Sequence, residues 1–264
     1  MKVSHEVPRC LLTASPEFND YDYALPHLFD QDEEYLQYFM DAKADGRYII
    51  MDNSLHELGE AYNHDRLRYW VSVIEPDEFI VPDVWMNCHQ TAAQAKYWKQ
   101  FKYPKKTKLT AVIQGENKNQ AYLCANLLAE LGYNKLCVSY GATWYNDFFP
   151  HTNADMGKAL GRVRFVQGLF KLNQLKDIKF HLLGCSIPQE FSWYDNNPRI
   201  ESIDTSNPVM AALEGIWYDD NGLNTKPKAN MNDFFDIDFR KVDYLNVIHN
   251  VRKFKEIVKK HINN

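Results

Sequence analysis

The feature that most constrains the fold is a short apolar run that ends abruptly in polar residues and recurs along the chain. Ile200–Ile203 leads into Asp204, which two hydroxyls, an amide and a proline follow. Three upstream runs end in the same way, at Asp52, at Asp83 and at Gln114. Buried parallel strands have this pattern, and in an α/β barrel their carboxyl ends converge on the face that carries the active site. We therefore predict a barrel enzyme with these four side chains around one pocket.

Segments with helical spacing separate the apolar runs, and glycine or proline residues end several of them. Residues 155–175 are predicted to form a long helix and residues 241–261 the final helix, whereas residues 15–31 are predicted to form a loop. This alternation favours βα units with parallel strand pairing. Periodicity alone leaves two options, a closed barrel and an open doubly wound sheet, but seven clear strands and one weak candidate favour a (β/α)8 TIM barrel. The predicted strands are Cys10–Thr13, Arg47–Met51, Glu78–Val84, Leu109–Gln114, Lys135–Tyr140, Lys179–Leu183 and Ile200–Ile203, with Ile216–Tyr218 as the best candidate for an eighth.

Chain length agrees with this choice of fold. The chain has 264 residues, of which 45% are hydrophobic, so it can bury one large core. An eight-stranded α/β barrel typically has about 250 residues. We therefore predict a single domain over residues 1–264.

The balance of charge gives no overall basic signature. With 30 basic and 35 acidic residues, the formal net charge is −5. A nucleic-acid partner would therefore have to be met by local basic patches. Three basic segments could contact phosphates or could simply be solvated faces: residues 102–108, 226–228 and 252–260.

Cysteine spacing and hydropathy indicate where the protein works. The five cysteines are widely spaced and form no CxxC pair, which favours a reducing compartment. No apolar run reaches the length of about 18 residues that a membrane span needs. We expect a cytoplasmic protein that does not contact a membrane.

Six segments, taken together and in order, form a recognisable series. Their sequences and order resemble the motifs of the tRNA-guanine transglycosylase superfamily, whose members exchange guanine for a 7-deazaguanine base. The resemblance covers about three-fifths of the chain, from Ile49 to Pro208. The six segments are Ile50-Met51-Asp52-Asn53-Ser54, Val81-Pro82-Asp83, Val112-Ile113-Gln114-Gly115, Val138-Ser139-Tyr140-Gly141-Ala142, Phe180-His181-Leu182-Leu183-Gly184 and Ile203-Asp204-Thr205-Ser206-Asn207-Pro208.

The chain also departs from that family's pattern. Ser54-Leu55 stands where the family has Gly-Gly, and Val209-Met210 replaces the arginine after the proline. No cysteine follows Cys185, so the family's zinc-binding subdomain is missing. The chain therefore resembles most the compact, zinc-less members, which include phage and DNA-modifying relatives. The resemblance implies neither metal nor cofactor, and it favours DNA slightly over tRNA as the substrate.

The resemblance implies a role for each matched residue. Asp204 would attack the sugar C1′ to form a covalent intermediate, and Asp52 would be the general acid and base. Asp83 would accept from the N1–H and the exocyclic amine of a guanine-like ring, while Gln114 and the Gly141 N–H would donate to its carbonyl oxygen. The predicted substrate-binding residues are Asp83, Gln114, Gly141, Tyr140 and Gly184; both glycines could equally just end strands.

Other interpretations of the same residues stay open. A nucleoside or N-glycoside hydrolase on the same barrel would use these carboxylates with water, and a non-catalytic barrel would only bind a purine or nucleic acid. An accessory protein or a homodimer could supply the missing contacts to nucleic acid.

Some residues have two possible interpretations. His56, Glu60 and His64 have a spacing that metal ligands can show, but Gly59 argues against a helix there. The aromatic segment 144–149 could stack on a base or cover the barrel, and His89, His151 and His181 are interpreted as ordinary loop or core histidines.

Overall fold

The computed structural model describes residues 1–260, and among these residues eight strands share one hydrogen-bonded order, β1-β8-β7-β6-β5-β4-β3-β2. The register is parallel at β1–β8 and in every pair from β2–β3 to β5–β6. Helices alternate with the strands, so the fold is of the predicted (β/α)8, TIM-barrel type. The strands are β1 (Lys2–His5), β2 (Asp22–Ala24), β3 (Ile49–Met51), β4 (Glu78–Ile80), β5 (Lys108–Val112), β6 (Lys135–Ser139), β7 (Lys179–Leu183) and β8 (Ile200–Thr205).

The α-helices fill the connections between strands, together with short 3-10 helices. The α-helices are α1 (Glu33–Ala44), α2 (Leu55–Leu58), α3 (His64–Ile74), α4 (Cys88–Trp98), α5 (Lys118–Glu130), α6 (Tyr145–Phe148), α7 (Ala154–Phe170), α8 (Asn207–Leu213), α9 (Met231–Phe234) and α10 (Tyr244–Lys259). The 3-10 helices are Arg9–Glu17, Pro26–Asp30, Asn173–Leu175, Pro188–Tyr194 and Phe239–Lys241.

Asparagine and aspartate side chains set the start of the longer helices. Each cap accepts a hydrogen bond from a backbone N–H of the first turn, which would otherwise lack a partner, and such a cap is worth about 1 kcal/mol. Because these caps follow the strand ends in sequence, they define where the loops at the carboxyl ends of the strands finish. The capping residues are Asp32, Asn63, Asn87, Asn117, Asn153 and Asp243.

The predicted first strand was wrong. Cys10–Thr13 lies in the 3-10 helix Arg9–Glu17, where Leu11 and Leu12 are buried. Burial of two adjacent apolar residues is common to a short strand and a helical turn, so the local pattern did not separate them. The first strand is instead β1, which pairs with β8 so that Val3 lies opposite Ile203. The second strand, β2, lies in a segment that the sequence suggested was a loop.

The predicted eighth strand was also wrong. Ile216–Tyr218 is not in a strand, and the backbone N–H of Tyr218 donates instead to the Asn250 side chain at 2.8 Å. The order is completed by β1 and β2, which precede the strands that the sequence made clear. The long helix predicted for 155–175 ends at Phe170, and the final helix, predicted over 241–261, is Tyr244–Lys259; His261 lies outside the described residues.

The described chain divides into two compact units. The terminal unit consists of Met1–Asp20, Ser139–Lys171 and the chain from His181 onward, and the middle unit consists of Tyr21–Val138 and Leu172–Phe180. Each has its own aromatic core: the Phe191 and Phe254 rings lie 5.3 Å apart in the terminal unit, and Phe79 and Trp98 lie 5.5 Å apart in the middle unit. A single domain over residues 1–264 stays a prediction.

Within residues 1–260, no helix combines the length and the apolar character that a membrane crossing needs.

Candidate functional site

In the middle unit, the carboxyl ends of β3, β4 and β5 carry four polar residues, the Asp83 cluster: Asp52, Asn53, Asp83 and Gln114. Asn53 Nδ2 donates to Asp83 Oδ1 at 2.8 Å, and Gln114 Nε2 donates to Asp83 Oδ2 at 2.6 Å. All four side chains are buried. The parallel order of the strands brings these residues together, because each of them follows the end of β3, β4 or β5. Asp83 and Gln114, from neighbouring strands, are in direct contact.

The Asp83 carboxylate is held by neutral amides. Burial raises its pKa above that of an ordinary aspartate, although the Asn53 and Gln114 donors oppose this shift. Among residues 1–260 no cationic side chain forms an ion pair with it. Each carboxylate oxygen can accept more than one hydrogen bond. Asp83 can thus accept N–H groups of an uncharged ligand without displacing a counterion.

Gln114 also fixes the loop that follows Asp83. Its Oε1 accepts from the backbone N–H of Met86 at 3.0 Å, and Met86 has a left-handed φ of 55°. The side chain next to it, Trp85, is 44% exposed. Trp85 follows Asp83 by two residues, and its exposed indole gives this loop an apolar face that the strand-end pattern did not predict.

Asp52 begins a tight turn at the end of β3. Its Oδ2 accepts from the Ser54 N–H at 2.9 Å, and the Leu55 N–H donates to Asn53 Oδ1 at 2.9 Å. Ser54 has a φ of 62°, a left-handed conformation that glycine adopts without cost. The turn therefore holds Ser54 in a backbone conformation that residues with a Cβ seldom adopt. His27 Nδ1 lies 2.8 Å from Ser54 Oγ, and burial lowers the pKa of His27 to about 4, so the ring is neutral near pH 7.

In the terminal unit, a second set of residues, the Asp204 cluster, consists of His181, Ser202 and Asp204. His181 Nε2 lies 2.8 Å from Asp204 Oδ1, and its Nδ1 lies 2.8 Å from Ser202 Oγ. Ser202 and Asp204 are two residues apart on β8, so their side chains leave the same face of the strand. His181 and Ser202 are buried, whereas the Asp204 side chain is 16% exposed.

Both ring nitrogens of His181 have partners in the Asp204 cluster. An ionised carboxylate at Asp204 would accept from Nε2–H, and Nδ1 would then face the Ser202 hydroxyl as an acceptor. Within the described chain, Oδ2 of Asp204 has no hydrogen-bond partner. One carboxylate oxygen is thus held in place, and the other is open to a ligand.

Tyr140, Gly141 and Gly184 also lie in the terminal unit. Gly184 has a φ of +60°, and a Cβ there would lie 2.5 Å from Cδ1 of Tyr140, so only glycine lets this ring pack on the turn. The backbone N–H of Gly141 donates to Ser139 Oγ at 3.0 Å. Gly184 therefore positions Tyr140, while Gly141 would have to release Ser139 before it could donate to a ligand.

A buried arginine fixes the turn at Gly184. Arg162 donates to the carbonyl oxygens of Leu183 and Gly184 at 2.9 Å and 2.8 Å, and its Nε lies 2.6 Å from Oε1 of Glu190. Burial works against its charge, but the Glu190 carboxylate raises the pKa of Arg162. This ion pair is enclosed in the core, so it orders the end of β7 and has no direct access to a ligand.

Two rings of the aromatic segment 144–149, together with His181, lie in the core of the terminal unit. Trp144 and Tyr145 are buried, and Trp144 packs at 5.1 Å on Phe165, so these two rings belong to the core and do not form an open stacking surface. His181 is a core residue as expected, but its contact with Asp204 was missed because it depends on a neighbouring strand. That Asp52, Asp83, Gln114 and Asp204 surround one pocket stays a prediction.

Val209 and Met210, which follow Pro208, are buried in α8 and pack in the core. No group of three or more histidine, cysteine, aspartate or glutamate side chains within residues 1–260 is arranged to hold a metal.

Comparison of the sequence with models of known protein families gave no match, and comparison with curated proteins gave none either.

Proposed function

We propose that this chain is a base-exchange glycosyltransferase that replaces guanine in nucleic acid by a 7-deazaguanine such as preQ0 or preQ1. The observation that carries the proposal is the state of Asp204. One of its oxygens is held by His181, and the other has no partner within the described chain. A carboxylate that is fixed at one oxygen and open at the other suits attack on an anomeric carbon, whose transition state resembles an oxocarbenium ion.

The proposed reaction has two balanced steps. In the first, Oδ2 of Asp204 forms a bond to C1′ while the bond from C1′ to guanine breaks, and Asp52 gives a proton to the leaving base. In the second, Asp52 takes a proton from the incoming deazaguanine, which bonds to C1′ and releases the Asp204 carboxylate. Proton transfer by a positioned carboxyl group contributes about 10²–10⁴-fold to such reactions.

The Asp83 cluster would recognise the base. Asp83 accepts from the N1–H and the exocyclic amine, and its buried, amide-held carboxylate supports that role. Gln114 uses one Nε2 hydrogen for Asp83, so the second can donate to the carbonyl oxygen of the ring. Trp85 would stack on the base with its exposed indole. The target nucleotide would be unpaired or flipped out of its helix.

DNA is slightly favoured over tRNA as the polymer, because the chain has no cysteine after Cys185 to build a zinc-bound grip on tRNA. A homodimer or an accessory protein would supply further contacts. Cytoplasm, or host cytoplasm for a phage-encoded protein, is the proposed location.

Hydrolysis is the second candidate function, and the open Oδ2 of Asp204 also favours it. A carboxylate with a free oxygen can take a proton from water, which would then attack C1′ and release guanine without exchange. A protein that only binds a purine or nucleic acid would release no base at all.

The test is release of radiolabelled guanine from DNA and, in parallel, from bulk tRNA, each with and without added preQ0 or preQ1. Base exchange predicts release that depends on the added base and disappears in Asp204→Asn. Release without any added base would indicate a hydrolase. A folded protein that releases nothing from either polymer would contradict both enzymatic proposals.

A further inference from the structure

The terminal unit contains two ammonium groups around one tyrosine ring, and neither forms an ion pair with a carboxylate of the described chain. Lys226 Nζ donates to the Tyr140 hydroxyl at 2.7 Å, and Lys158 Nζ lies 5.1 Å from the centroid of the same ring. Asp155, the nearest acidic residue in sequence to Lys158, uses its two oxygens for Ser186 Oγ and the Lys226 backbone N–H.

An anion would stabilise this pair of lysines. Burial lowers the pKa of Lys158, and the charges of Lys226 and Arg162 lower it further, while the Asp155 carboxylate opposes this shift. Both lysines are only partly exposed, so water screens their repulsion less than it would at an open surface. A bound anion would offset this repulsion.

The loop that carries Lys226 is held in a defined position. Asp155 Oδ2 accepts from the Lys226 N–H at 2.9 Å, and Asn153 Nδ2 donates to the Asn224 carbonyl at 2.7 Å. Gln189 Nε2 donates to the Leu223 carbonyl at 2.6 Å. These hydrogen bonds hold the backbone at Lys226 and on its N-terminal side, so the fold keeps the Lys226 ammonium group near Tyr140.

Two lysines of the final helix differ from this pair, because an acidic side chain neutralises each of them. Lys253 lies 2.8 Å from Asp220, and Lys255 lies 2.8 Å from Asp20.

We propose that Lys158 and Lys226, set around the Tyr140 ring, bind a phosphate group of the nucleic-acid backbone. This inference rests on the proposed function for the identity of its ligand, but not for the existence of an anion site. Both lysines would contact the same phosphate, and the Tyr140 hydroxyl fixes the Lys226 ammonium while Gly184 leaves room for the ring. Such a contact positions the strand without reading its sequence.

The first arm of the test measures binding of a fluorescent single-stranded DNA 12-mer by anisotropy over a series of KCl concentrations. Single strands give a slope of log K against log salt of about −0.7 for each neutralised phosphate. Lys158→Gln/Lys226→Gln should therefore make the slope shallower by about 0.7 and weaken binding at least about 10-fold at 0.1 M KCl. Lys158→Arg/Lys226→Arg should keep the wild-type slope.

The matched control is Lys171→Gln/Lys176→Gln, which removes the same charge from two exposed lysines beyond the other end of α7. It should leave the slope unchanged. An equal loss in both double variants would overturn the proposal, because the effect would then be one of net charge and not of a site.

The second arm uses inorganic phosphate as the probe and thermal unfolding as the readout. Phosphate should raise the Tm of the wild-type chain above its value in KCl of equal ionic strength, and Lys158→Gln/Lys226→Gln should lose this extra rise. An equal rise in both proteins would overturn the anion site. A loss of the phosphate effect with an unchanged DNA slope would overturn the nucleic-acid assignment in favour of a free phosphate compound.

Both arms are repeated in Asp204→Asn, since binding needs no chemistry. If guanine exchange is absent from the wild-type protein while the DNA slope still depends on the two lysines, the proposed function fails and the phosphate contact stands. If exchange occurs and the slope is unaffected, the reverse holds.

Discussion

The two carboxylates Asp83 and Asp204 follow or end buried strands, yet their surroundings differ. Asp83 is buried, and amide donors occupy both of its oxygens. Asp204 is partly exposed, and a single histidine occupies one oxygen. The same residue type is thus arranged in one region to accept several N–H groups, and in the other to keep one oxygen open.

The difference in hydrogen bonding gives the two carboxylates separate proposed roles, base recognition for Asp83 and bond formation for Asp204. A carboxylate that is enclosed by donors has a fixed geometry and suits recognition of a ring with several N–H groups. A carboxylate with an open oxygen suits formation of a new bond. The neighbours across the strands, more than the aspartates themselves, make the distinction.

The largest expected effect is that of Asp204→Asn, which removes the attacking oxygen. We expect guanine exchange to fall by more than about 1,000-fold, equivalent to about 4 kcal/mol of barrier. The free energy of unfolding should change little, because the partly exposed amide can still accept from His181. Single-turnover kinetics and urea unfolding measure the two quantities. Glu201→Gln, an exposed change on the same strand, is the control and should keep full activity.

Next in size is the loss of stability in Arg162→Met, which leaves Glu190 buried and without its cation. Breaking a buried ion pair from one side costs about 3–5 kcal/mol. The middle unit offers a comparison in Lys135→Met, since Lys135 lies 2.8 Å from Glu78 in a less enclosed pair, and we expect roughly 1–3 kcal/mol there. Urea unfolding should show a larger loss of stability in Arg162→Met than in Lys135→Met. The reverse order would contradict the conclusion that the Arg162–Glu190 pair is the more enclosed of the two.

Asp83→Asn should lose both stability and activity, whereas Asp204→Asn should lose activity alone. Its new amide group would face the Asn53 and Gln114 donors, so we expect a loss of about 1–3 kcal/mol in the free energy of unfolding. Activity should fall about 100-fold in kcat/KM, since the N–H groups of the base lose an acceptor. Equal stability of Asp83→Asn and the wild-type protein would contradict the enclosed state of this carboxylate.

His181→Phe tests the positioning of Asp204. We expect kcat to fall about 10- to 100-fold with little change in KM, because the ring holds the carboxylate and does not touch the base. His181→Gln keeps an N–H donor and should recover part of the loss. A change in KM alone would assign His181 to substrate binding.

The last expected effect needs no substitution, and it is a dependence of stability on pH that both units share. Burial lowers the pKa of His5, in the terminal unit, and of His27, in the middle unit, from 6.5 to about 4. The unfolded chain therefore binds these protons first, so the free energy of unfolding should fall as the pH decreases from about 6.5 to about 4. For His5 the slope should reach up to about 1.4 kcal/mol per pH unit, and it should be smaller for the less enclosed His27.

Urea unfolding at pH 7 and at pH 5 measures this dependence. His5→Phe and His27→Gln should each flatten it. A free energy of unfolding that stays constant over this interval in the wild-type protein would contradict the neutral, buried state of both rings.

The local sequence pattern predicted most of the strands. The apolar runs from Ile49 to Ile203 became strands β3 to β8, with ends within a few residues of the prediction. The errors lie at the two strands that depend most on hydrogen bonding to a neighbour. The strand β2 has only three residues, and β1 is recognised by its pairing with β8 more than by its own sequence pattern. Leu11 and Leu12 are buried in a 3-10 helix, which their apolar character alone could not distinguish from a strand.

The candidate site was predictable in its strand-end residues but not in their partners. Asp83 and Gln114 end neighbouring strands, so their proximity followed from the fold. The roles of Asn53 and His181 depend on which side chain lies across the next strand, and Lys158 meets Lys226 from another part of the chain. Such lateral contacts leave no mark in the local pattern of the sequence.

The most direct test of the central claim is to look for the covalent intermediate on Asp204. The protein would be incubated with a guanine-containing oligonucleotide without an incoming base, denatured, digested and examined by mass spectrometry. The proposal predicts a nucleotide adduct on the peptide that contains Asp204, present in Glu201→Gln and absent in Asp204→Asn. An adduct on Asp52 or Asp83, or guanine exchange without an adduct on Asp204, would contradict it.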